Sequence, residues 1–227
     1  TSGDYYGYYA DATGIIARNT SFAGGVTIDV SGDIYAGTTY GNATGIDAYT
    51  FVGYVDITSS GDIDVSTLYG NAIGIRTGRY GYTTIDNSGD INAYTYIGSS
   101  RGIAAYSFYG IDVTNSGDID AESAFAGTSR GILAQATYDV SVTNSGNVSA
   151  TSFQGGSAQA IRATSQYGYA SIYNEGDLSA TSTFSNSIAI VAVGYDGAYV
   201  NNSGNITANN TNANAFGMYV FTENGDA

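Results

Sequence analysis

The sequence predicts an all-β chain forming one parallel β-helix, a β-solenoid of about eight coils of 28–30 residues spanning residues 1–227. Three observations predict it. A Ser-Gly-Asp string or a near variant recurs with its glycine at Gly3, Gly32, Gly61, Gly89, Gly117, Gly146, Gly176 and Gly204, every 28 to 30 residues. Between these anchors apolar and polar residues alternate, the period of a strand with one buried face. Like residues also stand at like positions in every repeat, which parallel coiling explains by setting each over its counterpart one coil on. An antiparallel sandwich has no reason to keep such identity, and a four-stranded propeller blade needs about 40 to 45 residues.

Each repeat divides into elements in a fixed order. The first strand leads into the anchor, with Ile28, Ile57, Ile85, Val113, Val142, Ile172 and Val200 four residues before the glycine. Two before it, again on the inward side, stand Asn87, Asn115, Asn144, Asn174 and Asn202, with Val30 and Ser59 in the earlier coils. Buried amides without partners are costly, so these predict a ladder of side chains bonding one another and the turn, incomplete at its N-terminal end. The turn has Asn, Ser, Gly and Asp, which tolerate left-handed backbone or make local bonds.

The second strand follows with Ile34, Ile63, Ile91, Ile119, Val148, Leu178 and Ile206, then a column of Ala or Val. Eight residues after the anchor an aromatic slot holds Tyr40, Tyr69, Phe125 and Phe184, with Ile97 in that slot and Phe153 one place earlier. Stacked rings there support the rod. A Gly-Ile landmark, from Gly14-Ile15 to Gly131-Ile132, opens the third stretch and degrades to Ala160-Ile161, Ala189-Ile190 and Gly217-Met218. The absence of proline fits throughout, because proline removes a ladder hydrogen bond.

Composition narrows function. Six arginines and no lysine face 20 acidic residues, a formal charge of −14. A nucleic-acid partner, which needs a basic footprint, is not expected. No apolar run reaches the roughly 20 residues that span a bilayer, so membrane insertion is not expected either. Without His or Cys there is no Ser-His-Asp triad, no thiol nucleophile and no usual zinc site.

One residue after the anchor runs an acidic row: Asp4, Asp33, Asp62, Asp90, Asp118, Asp177 and Asp226, interrupted by Asn147 and Asn205. Charges one strand apart repel, and two readings relieve them. Each Asp caps its own turn, or the row binds a hard cation. For the second reading Asp33, Asp62, Asp90, Asp118 and Asp177 are the candidate metal column, Ca²⁺ being favoured by its taste for several oxygens in flexible geometry. No recognised calcium motif supports it, and no cofactor is required by the fold.

Among Arg18, Arg76, Arg79, Arg101, Arg130 and Arg162, Arg101 shares a slot with Arg130 and Arg76 with Arg162. None is expected to meet acidic residues in a cluster that departs from the repeat, so no enzyme is predicted. A Ser/Thr row at Thr38, Thr67, Thr95, Ser123, Ser152 and Ser182 has inward parity, which weakens an ice-binding reading.

The repeat NSGDI-x-A…GI-x-A…V-x-NSGD resembles those of large bacterial surface proteins, the β-helical passenger regions of autotransporters and related adhesins. The resemblance implies a right-handed coil, export, and a place on the outer cell surface or in the extracellular matrix of a bacterium. It carries over no site residue. The expected function is therefore a non-catalytic structural or adhesive extracellular solenoid, its partners being a cell surface, a glycan or further copies stacked end to end. The alternative is a polysaccharide-binding or polysaccharide-cleaving β-helix. The chain begins and closes inside repeats without an evident cap, which suits either a segment of a longer protein or a subunit of a head-to-tail filament.

Overall fold

A computed structural model describes residues 5–7, 10–22, 24–78 and 80–226. It contains strands, turns and bends and no helix, so no helix among the described residues is long and apolar enough to cross a membrane. The strands fall into three parallel sheets. The first stacks Tyr5–Gly7, Ile34–Tyr40, Ile63–Tyr69, Ile91–Ile97, Ile119–Ala126, Val148–Ser152, Leu178–Ser182 and Ile206–Asn210. The second stacks Ala12–Asn19, Ala43–Thr50, Ala72–Thr77, Ser100–Ser107, Ser129–Ala136, Ala158–Ser165, Ser187–Gly194 and Ala215–Thr222. The third runs from Val26–Val30 to Gly197–Asn202 and has seven strands. The chain visits the three sheets in turn, one strand each, and so forms the expected β-solenoid. Its coil count is smaller than the eight anticipated: seven coils are complete, and the next holds two strands. Past Thr222 the chain bends, and only the Gly197–Asp226 bridge continues the third sheet.

Register follows the sequence columns. Ile34, Ile63, Ile91, Ile119, Val148, Leu178 and Ile206 pair in succession. Ile46, Ile75, Ile103, Ile132, Ile161 and Ile190 do the same in the second sheet, all fully buried. Each such side chain contributes roughly 1.5–3 kcal/mol on leaving water.

The polar inward positions are satisfied along the axis. Asn87, Asn115, Asn144 and Asn174 each donate Nδ2–H to the next amide oxygen, at 2.8, 2.8, 2.7 and 2.6 Å, the last reaching Asn202. Each also donates to the carbonyl two residues on, at 2.6 Å. The ladder starts at Asn87, as the Val30 and Ser59 substitutions predict. The Ser/Thr row is buried from Thr67 to Ser182, and Thr67, Thr95, Ser123 and Ser152 donate to the carbonyls of Gly41, Gly70, Gly98 and Gly127. Those glycines have φ of +141 to +157° and stack so closely that a Cβ on Gly70 would lie 1.9 Å from the Gly41 oxygen. Only glycine fits this turn between the first and second sheets.

Candidate functional site

The acidic row sits on the turn between the third and first sheets, exposed from Asp33 to Asp177. Its carboxylates cap the following coil rather than their own turn. Asp33, Asp62 and Asp90 each accept the backbone N–H of the next Asp at 3.1, 3.0 and 2.8 Å. Asp118 accepts the N–H of Asn147 at 2.8 Å, and Asn147 Oδ1 takes the same role for Asp177 at 3.1 Å. Asn205 donates its backbone and side-chain N–H to Asp177, which holds that carboxyl below its ordinary value. Each carboxylate thus uses an oxygen on the protein itself, and among the described residues no three acidic side chains gather as a metal site. Asp4 and Arg79 lie outside the described residues.

The second sheet has a different outer face. Two aromatic ridges bound it, one on each flanking turn. On the turn from the first sheet stand Tyr40, Tyr69, Phe125, Phe153 and Phe184, all exposed, so the sequence-predicted aromatic slot is a rim and not part of the core. Tyr40 and Tyr69 stack at 4.9 Å and 6°. On the turn to the third sheet Phe22 meets Phe51, Phe51 meets Tyr80, and Phe108 meets Tyr138, at 5.2, 5.8 and 6.0 Å.

Between the ridges the sheet is creased. Both Gly102 and Ile103 turn inward, since a Cβ on Gly102 would lie 2.2 Å from Ile119, and the pairing skips from Arg101–Arg130 to Ile103–Ile132. Outward side chains three residues apart therefore lean over one recess. Side chains along this outer face are buried although they point away from the core: Thr44, Asp47, Ile73, Leu133, Gln159 and Val191 are each 2–6% exposed, and Asp47 and Ile73 line the recess.

The five described arginines all lie on this sheet, and they divide into two groups. Asp47 accepts Arg76 Nε and Nη2 and Arg18 Nη2, all at 2.9 Å. Burial pushes the Asp47 carboxyl up, but hydrogen bonds from Arg76 and Arg18, with their charges, outweigh it and hold the group below its ordinary value. This cluster departs from the repeat, contrary to the sequence-based expectation. The signal was present in the aligned slot Ile16, Asp47, Arg76, Ala104, where opposite charges occupy successive coils.

The second group has no carboxylate: among the described residues the only ion pairs are those of Asp47. Arg101 and Arg130 pair directly across adjacent strands. Arg130 Nε donates to Gln159 Oε1 at 2.8 Å, and Arg101 Nε is buried without an acceptor. Burial, then the charges of Arg101 and Arg162, pull the Arg130 guanidinium down to about 10, so it is still charged at neutral pH. Like charges one strand apart repel by about 3 kcal/mol at the effective dielectric of a partly buried site. Two recesses that share Tyr80 and Tyr106, of about 680 and 420 Å³, run along this face. Compared with known proteins, the chain matches no family model, no curated protein and no solved structure.

Proposed function

We propose that the chain is a non-catalytic structural and adhesive β-solenoid of the bacterial cell exterior, with the aromatic ridges and the recess between them as its contact surface. One observation carries this reading: all eight phenylalanines are at least 38% exposed, together with most of the tyrosines. A globular chain buries such rings, and contiguous exposed aromatics mark interaction surfaces. Here the core is built from Ile, Val, Leu and Ala alone, which frees the rings for display. The resemblance of the repeat to bacterial surface adhesins supports the extracellular placement, and no cofactor is required.

The test is retention on cell-surface and glycan-coated supports under flow, comparing the parent with a Phe51→Ser, Phe108→Ser, Tyr138→Ser variant. Loss of retention at an unchanged β-sheet signal is expected; equal retention overturns the reading.

End-to-end association belongs to the same proposal. In the last coil Met218 fills the slot of fully buried Ile190 yet is 53% exposed, and Val200 and Ile206 are only half-buried. The edges there accept a further coil, whether from continuing chain or from another copy. Electron microscopy separates these: fibres repeating at about 38 Å, eight strand spacings, mean stacked copies.

A further inference from the structure

We propose that the outer face of the second sheet binds an acidic polysaccharide, the carboxylates of its sugars being held by Arg101, which lines the larger recess, and by Arg130 on the adjoining strand. The assignment rests on the adhesive reading and names its ligand class. In a chain of charge −14, three of the five described arginines lack a carboxylate partner, and these three, Arg101, Arg130 and Arg162, crowd together on three successive coils. An anion resolves what the protein leaves open there: the mutual repulsion, and the buried Nε–H of Arg101 that lacks an acceptor. The guanidinium fork matches a planar carboxylate in a bidentate pair.

The shape selects a polymer over a single ion. The two adjoining recesses extend along the axis from Arg18 to Gln166. Tyr49, Tyr80 and Tyr106 line the recesses as aromatic partners for sugar rings, while Asn71, Gln135 and Thr164 bring amides and a hydroxyl for sugar hydroxyls. A nucleic acid has a higher charge density and meets stronger repulsion from the acidic remainder of the rod.

The experiment is calorimetric titration of the full chain with polygalacturonate, against dextran sulfate, neutral dextran and an oligonucleotide. Saturable, salt-sensitive binding of polygalacturonate, with neutral dextran silent, is expected. Arg101→Gln and Arg130→Gln should each weaken it about tenfold or more. Arg101→Gln should keep or raise the melting temperature, since it removes a like charge, so its lost binding is not lost folding; Arg130→Gln also removes the donor to Gln159 and is read beside an unchanged β-sheet signal. Arg130→Lys, which keeps charge without the fork, should fall between.

No binding, or equal binding by the glutamine variants, overturns the assignment. So does equal or tighter uptake of dextran sulfate or the oligonucleotide, which would make the recess a simple anion exchanger. If surface retention depends on the ridge aromatics but not on these arginines, the recess assignment falls while the adhesive reading stands. A parent chain that no support retains removes both.

Discussion

Two polar columns flank the same turn, and they differ in one respect. The asparagines two residues before the anchor are 0–2% exposed from Asn87 to Asn174, whereas the acidic row one residue after it faces water. Both bond from coil to coil at similar distances. The amide ladder works where an unmade bond has no water to replace it, so each member supports its neighbours strongly. The carboxylate row works where water stands ready, so each cap contributes little. Geometry alone does not rank the columns; burial does.

Breaking the buried column gives the largest expected effect. Asn144→Leu leaves the Asn174 Oδ1 and the Gly146 carbonyl without their donor, and should cost about 3 kcal/mol. Urea denaturation measures it, and a loss below about 1 kcal/mol would mean that the ladder fills space without holding coils together.

Both columns were legible in the sequence for one reason: strict period two, counted from a recurring glycine, fixes which side each residue faces. The recess was not. The crease at Gly102-Ile103 places two successive residues inward, so counting by twos assigns the wrong face beyond it. The same break brings Arg162 toward Arg130 although they occupy different slots. Of the aromatic slot only the Tyr40–Tyr69 stack was legible: a register shift pairs Ile97 with Ala126 and puts Phe125 against Tyr96, and the rings stand at the rim beside the glycine turn.

The next largest effect tests whether burial ranks the outer face too. Asp47 is nearly buried and takes three hydrogen bonds from two arginines, so Asp47→Asn should cost about 2 kcal/mol. Acid should reach the same end. The folded carboxyl titrates below its unfolded value of 3.8, so its contribution is complete above that value and is lost as pH falls through the lower folded one. A melting-temperature profile of parent and variant should converge in that acid window. Parallel profiles would mean that the arginines do not stabilise the charged form.

A gain of about 1 kcal/mol sharpens the contrast from the other side. Ser59 Oγ and Asn87 Oδ1 face each other in register, both buried and both without partners. Ser59→Asn extends the ladder by one rung, donating to Asn87 and to the carbonyl of Gly61 as the later asparagines do. A variant no more stable than the parent would show that the column ends at Asn87 for reasons of space.

The smallest effect belongs to the exposed row, and there substitution chemistry decides the role. Asn147 already caps Asp177 at 3.1 Å, the distance at which Asp33 caps Asp62, so Asp118→Asn should leave the melting temperature unchanged. Asp118→Ala, which removes the cap, should lower it by no more than about 2 °C. Millimolar calcium and chelator separate this from a cation column. Capping alone predicts that parent and Asp118→Asn respond alike, with no calcium-dependent rise. A rise in the parent that the asparagine variant lacks would mean that the free carboxylate oxygens share a cation between coils. The exposed column would then hold the rod as firmly as the buried one, and the ranking by burial would fail at this turn.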